Sequence, residues 1–305
     1  HLSDIQILES LYPDLAPNPM RWSALKQPSC PLQHLASSGH DKHFYLLNLQ
    51  QTPEHRYFVN HDGDFLILPF DGEVLVKTEL GNLSLKTQEL LVIPRGLANP
   101  RHFIYPDADF EKHIQPAKLY AKFQGKIWEK TIKRSILDVV AWQGKYAPYK
   151  YDLNLFNTIN TVSYDHPDPS IFTVLTSDSH FAGIANLDVV IFPKRWMVAE
   201  NTFRLPYFHR NVMSELMGLL QGQYDAKNQG FEVGGFSIHN QMVAHGPDYS
   251  SWTKEIERKD KPVYLDNTLA FMFESNEVWY PTMNAMNLTE HQQDYGSTWH
   301  GFPLL

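Results

Sequence analysis

The chain has 305 residues, of which 43% are hydrophobic and 20% charged, a composition that excludes a disordered or fibrous protein and allows one large or two medium-sized domains. Its 34 acidic residues outnumber its 26 lysines and arginines, so the formal net charge of −8 argues against a nucleic-acid-binding protein. The single cysteine, Cys30, rules out an intrachain disulfide and favours a cytoplasmic protein, and the apolar runs are too short to cross a membrane.

Short apolar segments separated by Gly, Pro, Asn and Asp fill the first half of the chain, as in β-rich proteins. Asp71-Gly72 and Gly81-Asn82 predict turns, the second of them a two-residue hairpin turn. The tract 142–151 is interpreted as a connector, because it contains Gly, Pro and three tyrosines. The strands predicted in this half are 65–68, 73–76, 78–80, 83–85, 90–93, 118–123 and 136–142.

The second half continues the pattern, with predicted strands at 171–176, 187–192 and 212–220. Twenty prolines spread along the chain argue against long helices, because proline interrupts helical hydrogen bonding. The sequence therefore predicts a mainly β fold with few short helices. Two β-barrels of similar plan are expected, at residues 1–153 and 154–305.

The segment from His209 to Gly222 is the most informative about function. Because side chains alternate between the two faces of a strand, an extended segment here would place His209, Asn211 and Glu215 on one face, among apolar residues. A carboxylate in such surroundings is costly unless its charge is compensated. A divalent metal bound by Glu215 and His209 would compensate it, whereas the simpler interpretation is a partly exposed strand with solvated charges.

This spacing resembles the first metal motif of the cupin superfamily, in which a His-x-His pair is followed by Glu and then by a glycine turn. Asn211 stands where the second histidine often lies, and His245 fits the histidine of the second cupin motif. Two imidazoles and one carboxylate leave coordination positions open and are typical of non-haem iron(II) oxygenases. No zinc-protease, nucleotide-binding or serine-hydrolase motif competes with this interpretation.

Longer stretches resemble the homogentisate 1,2-dioxygenase family, in order from about Pro17 to the C-terminus. The stretches that carry the resemblance are DGDF at 62–65, GLANPR at 96–101, APYKY at 147–151, DHPDPSIFTVLT at 165–176, PYFHRN at 206–211, HGPD at 245–248 and AFMFES at 270–275. The resemblance implies two cupin-like jelly-roll barrels. It also implies that Fe(II) is held by His209, Glu215 and His245.

The same resemblance implies roles for residues around the metal. His166 matches a histidine that hydrogen-bonds a substrate hydroxyl and moves its proton, while Tyr224, His239 and His245 match residues that border the substrate. Each has a simpler interpretation without the family. His166 lies in a turn rich in Pro and Asp and would cap it, Tyr224 would be a rim aromatic, and His239 would be an ordinary exposed residue.

The function implied is iron(II)-dependent, extradiol-type cleavage of homogentisate by O₂ to maleylacetoacetate, in tyrosine and phenylalanine breakdown. An alternative is the same chemistry on gentisate or another para-hydroquinone acid. A second alternative is a non-catalytic bicupin binding protein, and a zinc cupin is a weaker one, since zinc sites commonly keep more histidines. The partners expected are a small aromatic acid and O₂, with a trimeric or hexameric homo-oligomer and no nucleic acid or membrane.

The chain departs from the family pattern in its first half. A family segment is absent between Gly96 and Leu97, a shorter one near residue 28, and the N-terminus looks trimmed. The first barrel also lacks the ligand set, because no histidine pair accompanies Asp62 and Asp64. The N-terminal domain is therefore expected to be metal-free, and the C-terminal domain is expected to bind the metal.

Overall fold

The structure is a computed structural model of the whole chain, and it describes thirteen stretches of it. These are residues 18–25, 32–39, 41–48, 56–60, 63–93, 103–107, 115–123, 126–137, 147–158, 171–197, 208–227, 229–257 and 263–303. Within these stretches no helix is both long and apolar enough to span a membrane.

Strands dominate the described residues, which confirms the predicted mainly β class. They are β1 (Met20–Trp22), β2 (Leu32–Ser38), β3 (Lys42–Leu47), β4 (Arg56–Asn60), β5 (Phe65–Ile67), β6 (Glu73–Thr78), β7 (Gly81–Lys86), β8 (Glu89–Ile93), β9 (Ala117–Phe123), β10 (Lys126–Ile132), β11 (Tyr149–Asp152), β12 (Phe172–Asp178), β13 (Ala185–Phe192), β14 (Arg195–Met197), β15 (Ser214–Gly222), β16 (Phe236–His239), β17 (Val263–Leu265), β18 (Thr268–Ser275) and β19 (Trp279–Pro281). The helices are short: α1 (Tyr249–Ile256), α2 (Met283–Met286) and 3₁₀ turns at Leu153–Leu155 and Tyr295–Trp299.

The chain divides into two compact units. One combines His1–Leu47 with Phe156–Leu305, and the other is Asn48–Leu155; they are called the C-terminal and the N-terminal unit below. The first strands of the chain therefore belong with the C-terminal ones, because β1 pairs with β16 and β2 pairs with β19. The division at 153/154 and the closure of each half into a jelly-roll barrel stay predictions.

The C-terminal unit is built on a six-stranded antiparallel sheet in the order β1-β16-β15-β18-β13-β12. The central strand β15 is buried along its first seven residues, the pattern of a strand covered on both faces. Its side chains Met217 and Leu219 pack with Val190, Phe192 and Met272 in one apolar cluster. Such cross-strand contacts are the main source of sheet stability.

Gly222 ends β15 for a conformational reason. Its φ of +68° lies in the left-handed region, and a Cβ added there would lie 1.9 Å from the carbonyl oxygen of Asn267. Only glycine fits both requirements. The predicted end of the motif at this glycine is confirmed.

The N-terminal unit contains the sheets β10-β9-β4 and β11-β8-β5 and the hairpin β6-β7. Its interior is apolar, with Leu83, Leu85 and Leu91 forming one cluster. The rings of Phe103 and Tyr149 stack with centroids 4.0 Å apart. Parallel pairing of β4 with β9 sets this unit apart from the antiparallel six-stranded sheet.

Three local predictions in this unit are wrong. The β6–β7 turn consists of Glu79 and Leu80, not of Gly81-Asn82, because the Thr78 hydroxyl accepts from Leu80 N at 3.2 Å and donates to Gly81 O at 3.0 Å. The tract interpreted as a connector contains β11, which pairs with β8. Ile136 and Leu137 form a turn and not a strand, and the rest of 136–142 lies outside the described residues.

Candidate metal centre

Three ionisable side chains lie side by side across the six-stranded sheet. Glu215, the second residue of β15, is in register with His239 on β16 and with Glu274 on β18. Residues directly opposite one another in antiparallel strands project from the same face. The register of the sheet therefore assembles two carboxyl groups and an imidazole from three distant parts of the chain.

His209 and His245 join this group through their backbones rather than through a strand. His209 N donates to His245 O at 2.8 Å, and His245 N donates to His209 O at 3.0 Å, which forms an isolated antiparallel bridge. Their rings lie 4.6 Å apart. The prediction that one continuous strand aligns His209 with Glu215 is wrong, because β15 begins only at Ser214.

The three predicted ligands nevertheless converge. Each of His209, Glu215 and His245 has one potential metal-ligating atom within 4.8 Å of those of the other two. No other such group of His, Cys, Asp or Glu occurs in the described stretches. Glu215 Oε2 lies 3.1 Å from His245 Nε2. Glu215 and His245 are buried, whereas His209 is exposed. That these residues bind a metal stays a prediction.

The protonation pattern of His245 fits a metal ion. Its Nδ1 lies 2.8 Å from the carbonyl oxygen of Val243, and a carbonyl can only accept, so Nδ1 carries the hydrogen. The buried Nε2 then presents a lone pair to a carboxylate oxygen and makes no hydrogen bond with the described residues. In this tautomer the two atoms, 3.1 Å apart, repel each other, and either a metal ion between them or a proton on Nε2 would relieve the repulsion. Metal-ligating histidines are usually oriented in the same way, by a hydrogen bond from the ring nitrogen that does not bind the metal.

The pKa of Glu215 reflects two opposing effects. Burial alone would raise it, but a hydrogen bond and positive charge from His245 when its Nε2 is protonated, together with the amide of Asn211, outweigh burial and lower the pKa of Glu215 below its usual value. The carboxylate is therefore the stable form. A carboxyl group must be deprotonated to bind a divalent cation.

His239 is a neutral imidazole stacked on His245. The two rings are almost parallel, at 7°, with centroids 4.5 Å apart. Burial, followed by the neighbouring His245, holds the pKa of His239 well below its usual value. Its Nε2 lies 2.9 Å from the hydroxyl of Tyr295, while its Nδ1 lies 3.8 Å from Glu215 Oε2. The simpler interpretation of His239 as an exposed residue is wrong.

A cavity of about 150 Å³ adjoins this group. Tyr224 lines it, as predicted for a residue that borders the substrate, but it is buried and not a rim residue. Its ring packs edge-on against Phe192 at 5.5 Å. The cavity is lined by Ile171, Phe192, His209, Asn211, Glu215, Met217, Tyr224, Ala226, Lys227, His239, His245, Gly246, Met272 and Glu274. His166, the predicted catalytic residue, lies outside the described residues.

The sequence analysis missed Glu274 and placed Asn211 at the site without foreseeing its hydrogen bonds. The Asn211 amide donates to Glu215 Oε1 and to Glu274 Oε1, each at 3.1 Å, and so links the two carboxyl groups. Burial and the charge of Glu215 raise the pKa of Glu274 to about 6. A signal for Glu274 was present, because it is a lone acidic residue in an apolar strand, as Glu215 is. Nothing in the sequence revealed that Asn211 bridges them.

Both halves of the chain match protein-family models. Residues 154–304 match the model described as homogentisate 1,2-dioxygenase C-terminal, and residues 5–97 and 95–153 match the N-terminal model of the same enzyme. The N-terminal match is broken near residues 95–97, where the sequence predicts an absent family segment. Residues 95–97, where the match is broken, lie outside the described residues.

Full-length relatives agree with the models. Homogentisate 1,2-dioxygenase of Legionella pneumophila strain Lens is 46% identical to the chain, over 99% of this chain and 82% of the relative. Enzymes of that name from Pseudomonas fluorescens strain Pf-5 and Pseudomonas putida strain KT2440 are 44% and 43% identical. They are matched over 95% and 94% of this chain and over 78% and 77% of their own lengths.

Proposed function

Because the chain belongs to the homogentisate 1,2-dioxygenase family, we propose that it uses iron(II) and O₂ to cleave the ring of homogentisate, giving maleylacetoacetate. This reaction would serve the breakdown of tyrosine and phenylalanine. The observation that carries the proposal is the convergence of His209, Glu215 and His245 within 4.8 Å beside a cavity. Their chemistry is that of the ligand set of non-haem iron oxygenases.

His209, Glu215 and His245 would hold the metal. Iron(II) bound there would supply open coordination positions and electrons for O₂, which reacts slowly with closed-shell aromatic rings. The protein prepares this site by fixing the His245 tautomer through Val243 O and by keeping Glu215 ionised. Asn211 binds Glu215 Oε1, which leaves Oε2 directed towards His245.

Other residues would act on the substrate itself. His166 would accept the proton of the ring hydroxyl, because an imidazole titrates near neutral pH. Tyr224 and His239 would position the substrate from the cavity wall, and burial keeps His239 uncharged. Apolar neighbours such as Met217 and Met272 would contact the ring and exclude water.

Several expectations about the whole protein remain proposals. The enzyme would work in the cytoplasm as a trimer or hexamer, and its N-terminal cupin-like domain would carry no metal.

The test is oxygen uptake by protein loaded anaerobically with iron(II), with homogentisate and gentisate offered separately. We expect uptake with homogentisate, one O₂ consumed for each molecule, and both atoms of ¹⁸O₂ recovered in the product by mass spectrometry. Protein stripped with a chelator should lose the activity and regain it with iron(II).

Two results would contradict the proposal in different ways. Uptake with gentisate alone would keep the iron chemistry and change the substrate. Iron binding without any uptake would favour a non-catalytic binding protein.

A further inference from the structure

Lys227 is a buried cation on the wall of the cavity. It follows the turn at Tyr224 and Ala226, and 6% of its surface is exposed. Its Nζ donates to the carbonyl oxygen of Gly246 at 2.5 Å. Gly246 directly follows His245, so the ammonium group lies one residue along the backbone from a proposed iron ligand.

The ammonium group lacks an anionic partner within the described part of the chain. Arg195, which is equally buried, has the carboxylate of Asp225 at 2.9 Å, and Lys150 has Glu89 at 2.8 Å. Lys227 has only a carbonyl as its hydrogen-bond acceptor among the described residues. Burying a charge is costly unless it is paired, so the arrangement favours an anionic ligand.

The surroundings of Lys227 leave it able to bind such a ligand. Its Nζ lies 4.8 Å from the ring of Trp299 and 5.6 Å from that of Tyr295, and aromatic faces stabilise a cation without neutralising it. Gly246 O also accepts from Trp299 Nε1 at 3.4 Å. The Gly246 carbonyl oxygen therefore still accepts a hydrogen bond from Trp299 if the Lys227 ammonium group turns towards a ligand.

Burial also makes the ammonium group responsive to an anion. It lowers the pKa of Lys227 to about 7, against the opposing charge of Asp248. A bound carboxylate would favour the charged form again. The charged form of Lys227 is thus least stable when the cavity holds no anion.

We propose that Lys227 binds the carboxylate of the aromatic acid substrate and so selects arylacetates over neutral hydroquinones. This inference rests on the proposed function. In homogentisate the acetate arm is ortho to a ring hydroxyl, so a hydroxyl directed to the His209, Glu215 and His245 cluster brings the arm close to that cluster. Lys227 lines the same cavity and contacts Gly246, the residue next to His245, so an arm that follows the hydroxyl to this cluster would come near the ammonium group.

The test compares homogentisate with its methyl ester, which keeps both ring hydroxyls and removes the charge. For wild type loaded with iron(II), we expect KM for the acid to be at least roughly 10-fold below KM for the ester. Lys227→Met should raise KM for the acid by roughly 10- to 100-fold and change KM for the ester little. Iron content should stay at the wild-type level. Anaerobic calorimetry should show the same loss in Kd for the acid.

Lys42→Met is the matched control. Lys42 is a buried lysine of the same unit, but it is paired with Asp41 at 2.9 Å and does not line the cavity. This variant should keep the wild-type preference for the acid over the ester. A preference lost equally in both variants would overturn the inference.

The remaining outcomes are also decisive. Equal losses for acid and ester in Lys227→Met, or loss of iron with an unchanged preference, would make Lys227 a structural residue and overturn the inference. If Lys227→Met does not fold, a wild-type acid-to-ester ratio near one overturns it by itself. Absence of any O₂ uptake by wild type with homogentisate contradicts the proposed function instead, whatever the variants do.

Discussion

Two carboxyl groups, Glu89 in the N-terminal unit and Glu215 in the C-terminal unit, have different surroundings. In the N-terminal unit, Glu89 and Lys150 neutralise each other at 2.8 Å, and Phe103 and Tyr149 fill the neighbouring space with stacked rings. In the C-terminal unit, Glu215 and the imidazoles of His239 and His245 are buried beside a cavity, and one nitrogen of each ring has no hydrogen-bond partner among the described residues. Similar β-sheet scaffolding would therefore serve stability in one unit and, under the proposed function, ligand binding in the other.

The difference lies in which residues occupy matching positions across strands. In the C-terminal sheet, Glu215, His239 and Glu274 are in register on three adjacent strands. In the N-terminal sheet, Val92 on β8 is in register with Leu66 on β5 and with Tyr149 on β11, and none of the three side chains is charged. A fold of this kind provides positions that face one another, and the side chains at those positions decide whether a site exists.

The largest expected effect comes from Glu215→Gln. Removal of the anionic ligand should abolish iron binding and turnover together. The loss should exceed the ~10- to 100-fold loss of metal affinity that is typical when a residue that only hydrogen-bonds a ligand is removed. Iron analysis and O₂ uptake measure both quantities. Turnover that persists in an iron-free Glu215→Gln protein would refute the ligand assignment.

His166→Phe should separate chemistry from metal binding within the C-terminal unit. We expect normal iron content and a kcat reduced ~10²- to 10⁴-fold, because a general base would be lost while the ligands remain. Steady-state kinetics with parallel iron analysis test this. Wild-type kcat would exclude a catalytic role for His166.

Asn211→Ala should weaken the site without removing a ligand. Since the amide holds Glu215 Oε1, its loss should reduce iron affinity ~10- to 100-fold, measured by competition with a chelator. Asn240→Ala is the control, because among the described residues the Asn240 side chain bonds only the backbone of Trp279. Equal iron affinities in the two variants would show that the carboxylate needs no such support.

Glu89→Gln should have the smallest effect and should affect only stability. It leaves the ammonium group of Lys150 mostly buried without its anion, which should cost about 1–3 kcal/mol of unfolding free energy. Denaturant titration measures the loss, and iron content and kcat should match wild type. A change in iron binding would mean that the contrast between the two units is false.

Much of the site was predictable because the residue types in it indicate its chemistry. A single Glu in the apolar segment 214–220 indicated a compensated charge, and the family motifs added His209 and His245. The reason given for His209 was nevertheless wrong. Strand β15 begins only at Ser214, so His209 lies outside it. His209 reaches the cluster through its backbone bridge to His245 and not through the alternation of side chains along a strand.

The sequence alone determined the mainly β class, the family and the three side chains that converge, because apolar alternation and local motifs depend on neighbouring residues. Only the tertiary structure decided which distant strands became neighbours. That choice set Glu274 beside Glu215, stacked His239 on His245, and turned Lys227 towards Gly246. Register and the burial of charge arise from packing between segments far apart in the chain, and no local pattern records them.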